Sequence, residues 1–387
     1  MTCSQTHSAL AVSALTEWPE IESLAADWNR LSEGIPFRRW EWLGTWWRHY
    51  GHDKQPFVLV VRDGSRCVGV APFFIEPAHS LGHIIRIWGS GEVCSDHLSI
   101  LAEPSSKAAV GEAFARWLAD PGNQAVTAMP HVTNSWSWDL IELNGLDPAC
   151  EALSSFLATL SDAGFAVHQR TTVHTWRIAL PASMEEYLAA LSKPCRRKVR
   201  SGLKLFDTSE CQVKFSDSPA ELLPIWNAFI ELHQRRRNSL GEGGCFASDT
   251  FSEFLLDASR TFQQLGRLDL ACVQLGEQSV ATELCFRGDK TTFAYQIGIS
   301  PDHLRANPGW LVNTASIRRA LSLGQTGFDL CRGDEEYKGH LGAVPTACLE
   351  CRLVPPKWRS QLWDAALLTR SAVKEWFKTG LSLTGIR

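Results

Sequence analysis

No apolar run in the 387-residue sequence approaches the roughly 20 residues needed to cross a bilayer, which argues against a transmembrane span. The opening MTCSQTHSAL lacks a positive segment followed by an apolar one, so no secretory signal is expected. Low-complexity tracts are absent. The net charge is only −4, so the whole-molecule field gives no reason to expect nucleic-acid binding. A second CxxC is missing as well. Cys348-Leu-Glu-Cys351 stands alone in an expected strand over 346–354, where residues three apart point to opposite faces, and no metal is expected there. The 12 cysteines are scattered through a chain large enough to fold without cross-links. Reduced, buried thiols and a cytoplasmic location fit that pattern.

What is present reads as globular: 44% hydrophobic and 21% charged residues, with a length that suits two domains. Of the 16 tryptophans most lie before residue 180. Burial in a core or interface is the plain reading, because indole covers much area and needs one hydrogen-bond partner. A platform for stacking sugars or bases is the sharper one.

Two local charge clusters depart from the overall balance. Lys193, Arg196, Arg197, Lys198, Arg200 and Lys204 form a run without an acid, and Arg235, Arg236 and Arg237 form another. Solvated helix faces are the usual reading; two in one domain point toward an anionic ligand.

A coarse pattern of helix, hairpin, strand, helix and strand occurs twice. In the first half, helices over 19–32 and 39–50 precede strands over 57–62 and 67–75, joined by the turn Asp63-Gly64. Strands over 84–88 and 97–101, a helix over 104–119, a strand over 139–143 and a helix to about residue 161 follow. In the second half, helices over 220–237 and 249–265 precede strands over 268–275, 280–286 and 292–299. A helix over 308–323 and a strand over 327–331 complete it. Gly64 with Val68-Gly69 matches Gly276 with Val280-Ala281, the mark of a long-period duplication. The order implies an α/β chain with mixed α+β sheets, expected as two sheets side by side with a cleft between them. An amphipathic helix is expected over 356–378. It would dock on its own chain or a twin subunit, or else make peripheral membrane contact. Oligomeric state is left open.

The stretch Ile299-Ser-Pro-Asp-His-Leu-Arg-Ala-Asn-Pro-Gly-Trp310 suggests an anion site. Asn307 is a favoured N-cap, Pro308 suits the first helical position, Gly309 allows close approach, and Arg305 stands just upstream. A well-capped helix without a ligand is the plain alternative. The corresponding first-half helix has Glu103 at its start, which would repel a phosphate, so a single anion site per chain is expected.

A second cluster follows the strand over 327–331. Asp329 lies on the strand, and Arg332, Asp334, Tyr337 and Lys338 lie in the next turn, at a strand end where open α/β sheets place ligands. His233 ends a long helix beside the arginine triplet, and Glu283, placed opposite Tyr295 by the expected pairing, is a candidate base.

The order Leu232-His233-x-x-Arg236, Gly-x-Gly-Gly-x-Phe246, Val280-Ala281, Pro308-Gly309, Phe328-Asp329, Arg332-Gly333-Asp334 and Tyr337-Lys338 resembles the GNAT-type acetyltransferase domain of the CelD/BioF2-like group. That group resembles the tandem-GNAT Fem aminoacyl transferases. The motifs cover about residues 190–345. The likeness implies tandem GNAT-like domains: a degenerate first (1–175), an acyltransferase second (176–355) and the C-terminal helix (356–387).

The resemblance implies transfer of an acyl group from acetyl-CoA or another acyl-CoA to an amine or hydroxyl of a small-molecule or saccharide acceptor. A cell-envelope or exopolysaccharide setting is expected, with no metal. By position, Arg305, Asn307, Pro308, Gly309 and Trp310 would hold the donor pyrophosphate, although Pro308 and Trp310 stand where the usual loop has glycine or alanine. His233 or Glu283 would act as base. Backbone N–H groups of the strand over 292–299 would hold the oxyanion, and Tyr337 with Lys338 would serve the leaving group. Arg236, Tyr295, Asp329, Arg332 and Asp334 would bind substrate. An aminoacyl-tRNA donor, as in the Fem branch, and a non-catalytic scaffold in polysaccharide assembly are the alternatives.

Overall fold

The computed structural model describes residues 10–78, 82–126, 138–358, 360–362 and 364–365. The chain starts with strand β1 (Ala11–Leu15) and helices α1 (Trp18–Glu22), α2 (Ala25–Leu31) and α3 (Trp40–Tyr50). A hairpin of β2 (Gln55–Asp63) and β3 (Arg66–Ala78) leads to β4 (Gly82–Ile87) and a two-residue β5 (Leu101–Ala102). Helices α4 (Lys107–Ala119) and α5 (Pro121–Val126), strand β6 (Leu140–Leu146) and helix α6 (Glu151–Asp162) follow, and then the long strand β7 (Ala166–Ala179). The second half contains α7 (Met184–Ala190), α8 (Lys193–Phe206), β8 (Cys211–Phe215), α9 (Pro219–Ser239) and α10 (Asp249–Gln264). It continues through β9 (Leu268–Leu275), β10 (Gln278–Arg287), β11 (Thr291–Ile299) and α11 (Pro308–Ser322). Strand β12 (Gly327–Arg332), helix α12 (Glu336–His340) and strand β13 (Val344–Val354) complete the described elements.

The repeated hairpins are where glycine is needed. Gly64 between β2 and β3 has φ +58°, and Gly276 between β9 and β10 has φ +59°. A side chain is strained in that left-handed region, which explains why the same turn residue recurs.

Among the described residues there is, in place of two separate sheets, one of 13 strands, ordered β1-β2-β3-β4-β6-β13-β7-β12-β11-β10-β9-β8, with β5 beside β3. The seam is a strand exchange. Strands β7 and β13 pair antiparallel from Ala166↔Val354 to Arg177↔Val344. On its other edge β13 pairs with β6 of the first half, while β7 pairs with β12 of the second. Each half is therefore continued by a strand that follows the other half's last helix, and the expected boundary at 175/176 falls inside β7. Cys348 and Cys351 are both buried on β13, on either side of a register shift at Cys348/Leu349.

One core runs through both halves. Phe37 and Trp42 meet Phe286, Phe254 and Tyr295 edge-on at centroid distances of 5.0–6.4 Å, and α3 packs on α10. Trp28, Trp42, Trp46, Trp88 and Trp138 are fully buried, so these are core tryptophans and form no stacking platform. Each ring buries roughly 150–250 Å², worth on the order of 4–6 kcal/mol of gross hydrophobic stabilisation.

Several expected elements differ. The strand over 97–101 is absent: after β4 the chain forms a loop that pairs only through the Leu98–Leu146 bridge and β5. Helix α4 starts at Lys107 rather than 104, and Glu103 turns to Arg30 and Arg66. The helix over 19–32 is broken into α1 and α2. The helix over 356–378 lies largely outside the described residues.

Candidate functional site

Strands β11 and β12 run parallel but pair only at Thr291↔Gly327, Thr292↔Phe328 and Phe293↔Asp329. Beyond Phe293 they part, leaving a fork. On its other edge β11 bulges: Leu284 faces Gln296 but Cys285 faces Ala294, so Tyr295 is the extra residue. Glu283 therefore opposes Ile297, not Tyr295 as the regular pairing predicts.

Parity then decides which face each side chain uses. Gly298 lies beneath α9, where an added Cβ would come 2.6 Å from Thr282 Oγ1 and 3.0 Å from the His233 nitrogen. Its neighbour Glu283 points the other way, toward Ser316 on α11. The two candidate bases thus sit on opposite faces of the sheet.

On the α9 face His233 is buried, and burial pushes its imidazole below the ordinary value. Nδ1 lies 3.2 Å from Gln234 Oε1 and Nε2 lies 3.6 Å from Cys245 Sγ, with Phe246 edge-on at 5.0 Å. The Gly-x-Gly-Gly-x-Phe segment thus forms a wall around the histidine. In the adjacent triplet Arg235 pairs with Asp302 and Arg237 with Glu242, while Arg236 is half-buried between them. Tyr295 donates its hydroxyl hydrogen to the Val93 carbonyl at 2.6 Å and packs on Phe37 and Trp42, which ties it to the first half.

On the α11 face Glu283 is buried with Oε2 unpartnered. Desolvation pushes its carboxyl up to about 7, partly offset by Ser316. Tyr337 is half-buried within the field of Glu283; burial, and then that charge, raise its phenol above the ordinary value.

The turn after β12 is held from the first half. Arg332 donates from Nε to Asp96 Oδ1 at 2.6 Å, from its backbone N–H to Oδ2 at 2.8 Å, and from Nη2 to the Ser95 carbonyl. His97 Nε2 lies 3.1 Å from Asp329 Oδ2, while Asp329 Oδ1 accepts from the Cys331 amide. Cys331 has φ +53°, a strained conformation for a side-chain-bearing residue that this accepted bond supports.

Lys338 is buried and donates to the carbonyls of Cys331, Arg332 and Gly333, with Glu335 beside it at 3.0 Å. An ammonium has three N–H donors, and all are taken. Lys338 therefore braces this turn, and none is left for a departing group. Asp334 is exposed and pairs with His174 at 3.0 Å. Asp96 and His97 have no counterpart among the residues picked out by spacing. Their only local cue is the Gly-Ser-Gly run at 89–91, which marks a loop.

At the expected anion site the structure brings together two segments that the sequence presents separately. A groove of ≈ 600 Å³ opens between α8 and the start of α11, lined among others by Lys193, Arg197, Lys198, Gly202, Asn307 and Trp310. Gly202 lets α8 lie close to Leu311, since an added Cβ would stand 3.3 Å from its Cδ2. The Lys198 ammonium sits 4.8 Å above the Trp310 ring, so the indole forms a wall of the groove under a cation.

Asn307 caps α11 in the left-handed conformation, φ +53°. Pro308 has no N–H, and those of Trp310 and Leu311 turn back to the Asn307 carbonyl, which leaves Gly309 in the first turn. The helix end alone is thus a poor anion grip. Arg305 is exposed on the preceding turn, and the groove's cations come from α8 instead.

A smaller cavity of ≈ 340 Å³ lies on the seam strands β6, β13 and β7, but its charges neutralise one another, Arg352 with Glu142 and Arg170 with Glu350. Among the described residues no group of three His, Cys, Asp or Glu could hold a metal ion, and no helix is long and apolar enough to cross a membrane.

No curated protein matches the sequence. Among solved structures, FemX superposes with a TM-score of 0.61 at 12% identity, covering 88% of this chain and 96% of that chain. A conserved protein of unknown function from Bacteroides thetaiotaomicron gives 0.56 at 12% identity, over 89% of this chain and 100% of the other. The C-terminal domain of a protein described as a lysylphosphatidylglycerol synthetase, from Agrobacterium fabrum, gives 0.50 at 9% identity, over 90% and 97%. These likenesses establish the fold, and residues 193–339 match the family model described as an acetyltransferase (GNAT) domain. Residues 193–339, within the second half of the chain, thus match a GNAT acetyltransferase domain, and the chain as a whole shares its fold with FemX.

Proposed function

We propose that the protein transfers an acyl group from acyl-CoA to the amine or hydroxyl of a small-molecule or saccharide acceptor of the cell envelope or an exopolysaccharide. The observation that carries this reading is the α8–α11 groove. There acid-free cations meet the start of the helix that follows β11, beside the fork where β11 and β12 part.

The donor's pyrophosphate is assigned to Lys193, Arg197 and Lys198, with Trp310 as a wall and the Gly309 N–H as a backbone donor. The thioester arm then enters the fork. His233, neutral because it is buried, takes the proton from the acceptor nucleophile on the α9 face. The nucleophile forms a bond to the thioester carbon, and the oxyanion is held by β11 backbone N–H groups freed where the ladder is broken. The C–S bond then breaks and the thiolate receives a proton from Tyr337 on the donor side. Glu283, raised to about 7, lies beside Tyr337 and suits re-protonation of that phenol better than acceptor activation, because the sheet separates it from the α9 face. In this scheme Lys338, Asp329 and Arg332 position the turn that carries Tyr337.

Titrating acetyl-CoA into the purified protein by calorimetry tests the reading. One site per chain is expected, weakened by Lys198→Ala. Absence of binding at millimolar nucleotide would remove the acyl-CoA reading.

A further inference from the structure

A second cavity, of ≈ 580 Å³, continues along α8, lined by Lys193, Arg196, Arg197, Arg200, Ser201 and Lys204. Residues 193, 197, 200 and 204 recur at helical spacing, so they form a stripe on one face, about 16 Å long at 1.5 Å per residue. Lys193, Arg197 and Ser201 line both cavities, which makes the two continuous. No carboxylate lines either cavity. Among the described residues, Lys193, Arg197, Lys198, Arg200 and Lys204 take part in no ion pair. Elsewhere on this half Arg235, Arg237 and Arg319 each have a carboxylate partner.

The cations outnumber what one pyrophosphate needs, and Arg196, Arg200 and Lys204 line the outer cavity alone. A pyrophosphate gripped by Lys198 and its neighbours beside Trp310 leaves Arg200 and Lys204 with nothing to bind. Both line the outer cavity and neither lines the groove beside Trp310. A phosphomonoester carries roughly −1.5 to −2 charge near pH 7 and three acceptor oxygens, a match for an arginine fork next to a lysine.

We infer that this outer cavity binds a terminal phosphomonoester on the nucleotide end of the donor. The donor is then read at two separate phosphate groups, and the acyl group arrives on a free 3′-phosphorylated nucleotide thioester, not on the phosphopantetheine arm of a carrier protein, which lacks that phosphate. The inference rests on the acyl-CoA reading above.

Calorimetry with coenzyme A and 3′-dephospho-coenzyme A, on the wild-type full-length chain and on an Arg200→Ala/Lys204→Ala variant, separates the possibilities. Removing the 3′-phosphate is expected to weaken binding about 10–100-fold, the range for losing a hydrogen-bonded ionic partner. The variant should weaken coenzyme A by a similar factor and leave 3′-dephospho-coenzyme A unchanged. Its unaltered circular dichroism would show that the surface substitutions leave the fold intact. Equal affinity of the wild type for both nucleotides would overturn the inference while preserving the acyl-CoA reading. Failure of both nucleotides to bind would overturn the acyl-CoA reading and the inference with it. Salt-dependent binding of transfer RNA in place of either nucleotide would do the same and assign the stripe to a longer polyanion.

Discussion

Arg332 of the second half grips Asp96 of the first through both carboxylate oxygens, at 2.6 Å from Nε and 2.8 Å from its backbone N–H. Burial works against the guanidinium charge, and Asp96 more than restores it. The pair fixes the loop before β5 to the turn after β12, so the first half shapes the candidate site in the second.

Asp96→Ala strands that guanidinium. A fully buried pair broken on one side costs about 3–5 kcal/mol, and the part-exposure of Arg332 brings the expected loss to about 2–3 kcal/mol. Urea melts should show the deficit, and adding Arg332→Met should recover much of it. An unchanged midpoint for Asp96→Ala would mean the pair ties nothing together.

His233→Ala should lower kcat by about 10²–10⁴-fold with the fold retained. Because burial depresses this imidazole, the acid limb of the kcat/KM profile should lie below the ordinary histidine value of about 6.5. A limb at pH 7 or higher would point to a different base.

Glu283 makes an opposite kind of prediction. Its carboxyl is about 7 in the folded chain and 4.5 as the ordinary value, so the native state binds the extra proton between these pH values. Stability is then greatest below about pH 4.5 as far as this group is concerned. It declines as pH rises to about 7, by on the order of 3 kcal/mol. Glu283→Gln should flatten that decline and gain stability at pH 8. A variant whose melts fall with pH as steeply as the wild type would show that Glu283 is not the group responsible.

Gly298→Ala places a methyl 2.6 Å from Thr282 Oγ1 and 3.0 Å from the His233 amide and the Phe229 carbonyl. Lifting α9 off the sheet should cost about 1–3 kcal/mol and reduce kcat by shifting His233. Wild-type stability together with wild-type turnover would show slack under α9 that these distances do not allow.

Lys198→Ala and Trp310→Ala act on the donor groove. Lys198→Ala should weaken coenzyme A about tenfold, less at high salt, because an exposed cation is screened. Trp310→Ala should weaken it at every salt concentration by removing a wall. Tighter binding in Trp310→Ala would mean that the indole obstructs the site.

Much of the second half is legible in residue order. Strand β9 and helices α9, α10 and α11 fall within two residues of their expected ends, because each combines a period with a cap or a turn. The expected helix start does border a groove, but Arg305 does not line it and the cations that do belong to α8. Cation identity is readable along the chain, but which cations face the start of α11 depends on how α8 packs through Gly202. Strands β1, β7 and β8 escaped because their pattern is weak: β7 alternates among half-exposed residues and shows no clear apolar face.

Turns, caps and helical stripes arise from consecutive residues, so the hairpins at Gly64 and Gly276, the basic run of α8 and the start of α11 could be read before any fold was known. The exchange of β7 and β13, the bulge that sends Glu283 and His233 to opposite faces, and the arrival of Asp96 and His97 beside Asp329 and Arg332 could not. Each depends on hydrogen bonds between residues far apart in the chain, and a single-residue shift in such pairing inverts every side chain beyond it.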